Sequence, residues 1–233
     1  MTDEIFTSFP GETIKFYRQL EVNNKREWFM AHKQDYIDFV QLPSLAFINT
    51  MGERLKAISP GIVYDTRTNG SGSLMRIYRD VRFSPDKTPY KTNLGIVFWE
   101  GAGKKSENPG FYLHVALFGM GFYSGMYGFS KEMLAAYREA VVDQQLGDEL
   151  TSAIEVVRSA GCQVGGEHYK RVPRGFDADH PRVDLLKYNT LFSSIMDLDP
   201  ELITQPGFMD LAFDHWEKMA PLHHWLVKVA ARI

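Results

Sequence analysis

The sequence predicts an α+β fold, in which an antiparallel sheet of about four to five strands in the middle of the chain is covered by N-terminal and C-terminal helices. Apolar residues recur at helical spacing in both outer parts of the 233 residues. Short aromatic or β-branched runs, bounded by Gly, Pro or Asn, fill the middle. Helices, then strands, then helices favour an α+β domain over alternating βαβ units.

The first part of the chain predicts three helices. Pro10 suits the first helical position and precedes an apolar stripe. Asn24 and Glu27, three residues apart, resemble a capping box and predict the start of the second helix. Pro43 begins the third, and the Ser-Pro-Gly sequence at residues 59–61 ends it.

The middle of the chain predicts strands. Residues 118–122 predict a tight turn between two neighbouring antiparallel strands. The polar residues 101–110 predict a loop, and their resemblance to a phosphate-binding Walker A loop fails because Phe98 replaces the first Gly. Four segments have strand length and composition: residues 74–83, 94–99, 111–118 and 121–129.

Helical periodicity returns after Ser130, a predicted N-cap. Residues 170–181 have no period and predict a loop. A last helix carries His215, His223 and His224, and Pro221 is predicted to kink or end it. Histidines near a helix C-terminus are usually capping or surface residues.

Composition restricts the class of protein. With 26 Lys and Arg against 29 Asp and Glu, the net charge is −3, which argues against nucleic acid as a partner. No linker divides the chain, so residues 1–233 are predicted to form a single domain. One cysteine, Cys162, and the absence of an apolar run of ~18–20 residues predict a cytoplasmic protein with no membrane partner. Oligomeric state is not predicted.

Strand parity predicts a basic and aromatic sheet face. If residues 74–83 form a strand, the even positions share one face and the odd positions, with Arg79, face the core. Guanidinium groups bind phosphate bidentately and tyrosine rings stack, so the face predicts a small anionic ligand, phosphorylated or nucleotide-like. The alternative is a solvated face with cross-strand ion pairs. The predicted face contains Arg76, Tyr78, Arg82, Tyr112 and His114.

The loop after this strand extends the predicted site. Lys87 and Lys91 lie in a segment fixed by two prolines, where they are predicted to converge with Arg82. Arg79 requires a partner on the apolar face: a helix carboxylate is the favoured one, and a ligand reached through the sheet edge is the alternative. His114 is the first candidate for acid–base chemistry, because an unperturbed imidazole titrates near neutral pH.

A second basic loop adds Arg174 to the predicted ligand-binding residues. Asp177, Asp179 and His180 in the same loop could hold a metal, but a residue before Pro181 is well explained as a helix cap. No metal and no cofactor are therefore predicted.

Four blocks of sequence resemble the signature blocks of domain-of-unknown-function family 2461 (DUF2461). Their order and spacing match over nearly the whole chain. The resemblance implies a bacterial or fungal soluble protein of one domain, with no established activity, so no catalytic residue is carried over. The blocks are NNKREWF at residues 23–29, RIYRDVRFSPDKTPYK at 76–91, PGFY at 109–112 and PRGFDADHP at 173–181.

Three functions remain open from the sequence. The first is an enzyme or binding protein for a small anionic ligand, and the second is a non-enzymatic interaction module that docks an acidic partner on the same face. The third is a nucleic-acid binder that uses stacked aromatic rings, which the net charge disfavours. A concave pocket at the predicted strand of residues 74–83 would favour the first function, and a flat exposed patch the second.

Overall fold

The structure, a computed structural model, describes residues 6–233. A π-helical turn at Ile37–Gln41 lies between the third and fourth helices. The helices are α1 (Gly11–Val22), α2 (Arg26–Ala31), α3 (Lys33–Tyr36), α4 (Leu42–Leu55), α5 (Lys131–Val142), α6 (Gln144–Ser159) and α7 (Phe208–Ala230). The strands are β1 (Ile62–Val63), β2 (Asn93–Glu100), β3 (Gly110–Ala116), β4 (Gly119–Met126), β5 (Gln163–Glu167) and β6 (Tyr188–Leu198).

All pairs in the six-stranded sheet are antiparallel, in the order β1-β2-β3-β4-β6-β5. The predicted α+β class is confirmed, and β2, β3 and β4 lie close to three of the predicted strands. The turn between β3 and β4 lies at Leu117 and Phe118, slightly before the predicted one. Strands β5 and β6, in the C-terminal half, were not predicted.

The predicted strand at residues 74–83 is wrong. Ser73 and Met75 pair with the free edge of β2, since Val97 donates its N–H to the Ser73 carbonyl and the Met75 N–H bonds to the Gly95 carbonyl. The chain then turns away and folds back on itself, with a bridge between Tyr78 and Tyr90. Phe83, predicted to face the core, is 93% exposed. The two-residue alternation therefore does not apply to this segment.

The core lies between one face of the sheet and the helices. The Trp216 ring of α7 contacts Phe98, Phe111 and Phe122, one residue from each of the three central strands, at centroid distances of 5.4–5.9 Å. Phe47 of α4 packs against Phe98 beside it. Aromatic pairs at this spacing stabilise the fold beyond the area they bury. Across residues 6–233, no helix combines the length and the apolar character that crossing a bilayer requires.

Helix α7 continues past Pro221 to Ala230, so of the two predicted effects of the proline, a kink or the end of the helix, the end is excluded. Proline removes one intrahelical hydrogen bond, but buried residues on both sides, including Met219 and Leu226, hold the helix against the core. His223 is 0% exposed, and the expectation that the C-terminal histidines cap or lie on the surface is therefore wrong for it.

Helix starts were predicted with mixed success. Ser130 caps α5, as predicted, by accepting a hydrogen bond from the Met133 N–H at 3.1 Å. Asn24 does not cap α2. Its amide instead bonds both backbone groups of Tyr90, donating to the carbonyl at 2.9 Å and accepting from the N–H at 3.1 Å. This contact ties the start of α2 to the segment that leads into β2.

Aromatic rings and glycines alternate on the sheet face opposite the core. Tyr112 and His114 point to this face, as predicted, because Leu113 between them is buried. Glycine leaves room for the rings: a Cβ at Gly95 would lie 2.7 Å from the Tyr112 Oη. The side chains of Tyr112 and His114 on this face are therefore half-buried rather than fully solvated.

Candidate functional site

Three of the five cations between residues 76 and 91 are paired within that segment. Arg79 bonds Asp86 at 2.5 Å and the Thr88 carbonyl at 3.2 Å. Arg82 makes two bonds to Asp80, at 2.9 and 2.7 Å, and the Lys87 ammonium donates to the Val81 carbonyl at 2.8 Å. The partner of Arg79 is thus a loop carboxylate, and the prediction of a helix carboxylate is wrong.

These contacts hold both acids of the loop in their ionised form. The hydrogen bonds from Arg82 lower the pKa of Asp80 to about 2. The pKa of Asp86 is also about 2, first because the Thr88 N–H bonds the carboxylate and then because Arg79 does. The side chain of Arg82 is 76% exposed, which makes its pair with Asp80 a surface contact. Arg82 and Lys87 are therefore not part of a cluster with Lys91, contrary to the prediction.

Arg76 and Lys91 are the remaining two cations, and a third, Lys105, lies beside them. The Lys105 ammonium donates to the carbonyls of Gly70, at 3.1 Å, and Gly72. The Arg76 stem lies over Gly70, because a Cβ there would meet it. Lys105 and Arg76 thus meet on the same turn of the loop. Within residues 6–233, no carboxylate forms a salt bridge with any of these three cations.

We name these three cations the Arg76 cluster (Arg76, Lys91, Lys105), and the pKa values of both its lysines are lowered. Burial lowers the pKa of Lys91, and the Arg76 charge lowers it further. Burial also lowers the pKa of Lys105. Asp65 opposes that shift, whereas Lys91 and Arg76 add to it. Both directions are those expected of cations held together without sufficient counter-charge.

A cleft of about 380 Å³ opens beside Arg76, between the helical segment 29–41 and the loop segment 68–78. The helical side contributes Lys33 and the π-helical turn, a distortion that occurs frequently at functional sites. Burial, and then the nearby Tyr78, raise the pKa of Tyr36 to about 12, so its hydroxyl remains a donor at neutral pH. The lining residues are Phe29, Lys33, Tyr36, Ile37, Gln41, Thr68, Asn69, Leu74, Met75, Arg76, Ile77 and Tyr78.

Two predicted residues, Tyr112 and His114, lie near the cleft but do not line it. The His114 Nδ1 lies 3.3 Å from the Tyr112 Oη and 3.5 Å from the Asn93 amide nitrogen. Burial lowers the pKa of His114 and favours the neutral imidazole. Met75, which lines the cleft, and the Tyr112 hydroxyl both lie over Gly95, so this face adjoins the cleft.

Arg174 lies elsewhere, exposed in the loop that follows β5. No hydrogen bond joins it to the Arg76 cluster in the described part of the chain. In the same loop Asp177 accepts from the Asp179 N–H at 2.9 Å, and His180 accepts from the Arg182 N–H at 3.1 Å. From residue 6 onwards, no three His, Cys, Asp or Glu side chains lie close enough together to hold a metal ion.

A buried polar contact joins Ser59, Glu100 and His223 on the core side of the sheet. The His223 Nε2 lies 3.0 Å from the Glu100 carboxylate and 3.2 Å from the Ser59 hydroxyl, which also donates to Glu100. A catalytic serine triad uses both ring nitrogens of its histidine, one toward the serine and one toward the acid. Here one nitrogen meets both groups and the Nδ1 has no partner among the described residues, so the contact is structural.

Of the residues that line the cleft or form the Arg76 cluster, Arg76, Tyr78 and Lys91 were among those predicted, and the others were not. Lys105 lies in the loop considered for a Walker A motif, and its spacing gives no sign that it reaches Gly70. Residues 33–41 were assigned only a helical stripe. Lys33 and Tyr36 of α3 and Gln41 of the π-helical turn nevertheless line the cleft.

The family model described as conserved hypothetical protein (DUF2461) matches residues 12–225. This range includes the cleft, the Arg76 cluster and the whole sheet. No curated protein and no solved structure shows significant similarity to the chain.

Proposed function

We propose that this chain, which belongs to the DUF2461 family of conserved hypothetical proteins, binds a small phosphorylated ligand through Arg76, Lys91 and Lys105. One observation carries the proposal: Arg76 lines the cleft, Lys91 and Lys105 lie near enough to feel its charge, and no described carboxylate forms a salt bridge with any of the three. An anion bound there would relieve their mutual repulsion. Phosphate matches the set, because arginine binds it through a planar fork and lysine as a point charge.

The shape of the site supports a small molecule over a protein partner. A cleft of about 380 Å³ falls within the range of roughly 300–1,000 Å³ that is typical of ligand sites. An acidic peptide would instead require an extended basic surface, and the neighbouring cations Arg79, Arg82 and Lys87 are engaged inside their own loop.

The proposal concerns binding and assigns no reaction. His114, the residue considered for acid–base chemistry, lies outside the lining of the cleft. The single cysteine supports a cytoplasmic location, and the net charge of −3 counts against nucleic acid as the ligand.

A thermal-shift titration with inorganic phosphate, sulfate and sugar phosphates tests the proposal. A ligand at a hundred times its dissociation constant stabilises the fold by about 2.7 kcal/mol. For a chain of this size, the melting temperature would rise by roughly 5–10 °C. The rise should shrink as sodium chloride screens the charges.

Two variants that remove the same charge from the same segment locate the site. Arg76→Gln should abolish the shift, because it removes the central cation of the cluster. Arg82→Gln is the matched control and should retain the shift, because Arg82 is paired with Asp80 at the surface. If no anion stabilises the wild type, or if both variants respond equally, the proposal is wrong.

A further inference from the structure

The cleft is also lined by aromatic side chains, which binding of a phosphate by the Arg76 cluster would not require. Tyr78 is 54% exposed, and its ring lies 6.2 Å from Phe29 and 5.4 Å from Tyr90. Phe29 and Tyr78 line the cleft together with Tyr36. Phe29 and Tyr36 are buried, at 2% and 9% exposure, so the accessible ring of Tyr78 is the surface on which a planar ligand group can stack.

Two amide side chains project from different walls of the same cleft. Gln41 closes the π-helical turn, and within the described residues its amide makes no hydrogen bond. Asn69 belongs to the loop wall, and its oxygen accepts from the Ser71 N–H and hydroxyl, at 3.0 and 2.6 Å. The amide of Gln41 thus retains a donor and an acceptor side by side, and Asn69 retains its NH₂ donors. Paired donors and acceptors are the pattern by which amide side chains recognise the edges of nucleobases.

From these two features we infer that the ligand is a nucleoside monophosphate, with its base in the cleft and its phosphate on the Arg76 cluster. This inference rests on the proposed function and adds the ligand class. Arg76 connects the two halves, because it lines the cleft and also meets Lys105 on Gly70. The volume of about 380 Å³ suits one base with its sugar and is too small for a dinucleotide.

Isothermal titration calorimetry separates the two halves of the ligand. The probes are inorganic phosphate, ribose 5-phosphate, adenosine, and the monophosphates of adenosine, guanosine, cytidine and uridine. We expect at least one nucleoside monophosphate to bind about tenfold to 100-fold more tightly than ribose 5-phosphate, which is the contribution of one stacked base.

Variants at Gln41 test the base contacts without touching the cations. Gln41→Met should weaken binding of the preferred monophosphate about tenfold and leave ribose 5-phosphate unchanged, since one neutral hydrogen-bonding group is lost. Gln34→Met is the matched control, because Gln34 bonds Asp38 outside the cleft and should affect neither probe. Tyr78→Leu, at an exposed ring, supplies a second variant with little risk to folding, and it should reduce the monophosphate to the affinity of ribose 5-phosphate.

The outcomes distinguish the inference from the proposed function. If the monophosphates and ribose 5-phosphate bind equally, the nucleotide inference is wrong and the phosphate site stands. If adenosine binds as tightly as its monophosphate, the joint placement of base and phosphate is refuted. If no phosphorylated probe binds, both the inference and the proposed function fail.

Discussion

The buried contact between His223 and Glu100 should make the stability of the fold depend on pH. Burial lowers the pKa of His223, although the bond to Glu100 opposes that shift. The hydrogen bond from His223 in turn lowers the pKa of Glu100. A neutral imidazole whose Nε2–H donates to the Glu100 carboxylate is consistent with the lowered pKa of both groups. The buried Nδ1 then carries a lone pair, which is less costly to leave unsatisfied than a second N–H.

The sign of the effect follows from these directions. A histidine whose pKa is lowered by folding takes up a proton when the chain unfolds, so the fold loses stability as the pH falls below the unfolded value of about 6.5. If His223 stays neutral in the fold, the loss between pH 7.5 and 5.5 is about 1.4 kcal/mol. The lowered pKa of Glu100 acts in the same direction at more acidic pH.

Urea unfolding at pH 7.5 and 5.5 measures this loss in the wild type and in His223→Gln. The variant cannot titrate at this position, so its stability should fall by about 1.4 kcal/mol less than that of the wild type over the same interval. His114 and His215, whose pKa values burial also lowers, contribute equally to both proteins and cancel in the comparison. His224→Gln is the control, because His224 is exposed and bonds only the Ile58 carbonyl.

Equal pH dependence in the wild type and His223→Gln would refute this reasoning. So would a wild type that gains stability relative to the variant on acidification, because that result requires a charged imidazole paired with Glu100. Loss of the pH dependence in His224→Gln would show that the effect does not come from His223 alone.

Three further predictions concern stability and exposure. Asn24→Ala should lower the free energy of unfolding by about 2 kcal/mol and the melting temperature by roughly 4–8 °C, because both hydrogen bonds to the Tyr90 backbone are lost. An unchanged melting temperature would contradict a stabilising role for this contact. Arg79→Ala should speed proteolysis within residues 80–88, since the bonds to Asp86 and Thr88 close this loop, and cleavage as slow as in the wild type would show that the prolines alone hold it. Residues 1–233 should unfold in a single transition, whether the unfolding is monitored by circular dichroism or by fluorescence, and two separated transitions would disprove a single domain. Limited proteolysis of the native protein should cleave within residues 101–108 or 170–179.

The elements that were predictable are those whose period is visible in the sequence. Helices α5 and α6 and strands β2 and β3 have clear apolar stripes, and in β4 the stripe is interrupted only at Ser124. Strand β6 was missed because Ser193 and Ser194 occupy positions where an apolar residue would reveal the alternation, yet both are buried. Strand β5 contains Gly165 and Gly166, which have low strand propensity, and its residues on either side of Gly166 pair with β6. Both segments form strands because they pair with segments that are distant in the sequence, which no local pattern shows.

In the candidate site, too, contacts between residues close in sequence were predictable and contacts between distant residues were not. The pairs Arg82–Asp80 and Arg79–Asp86 are two and seven residues apart, so local spacing could have indicated that these cations are engaged. Lys105 meets Gly70 across 35 residues of sequence, and no local pattern contains that information. Tyr112 and His114 lie on the predicted face because β3 is a regular strand, whereas Arg79 does not follow the alternation because the chain leaves the edge of β2 after Met75.

The packing of Tyr112 over Gly95 restricts the order in which these two positions can change during evolution. A methyl group at position 95 would lie 2.7 Å from the Tyr112 hydroxyl and 3.1 Å from a carbon of Met75. A lineage that acquires alanine at 95 first must therefore displace the ring, whereas one that loses the ring first meets no collision. Covariation between these two positions among relatives would record that history, with the small residue at 112 always appearing before the larger one at 95.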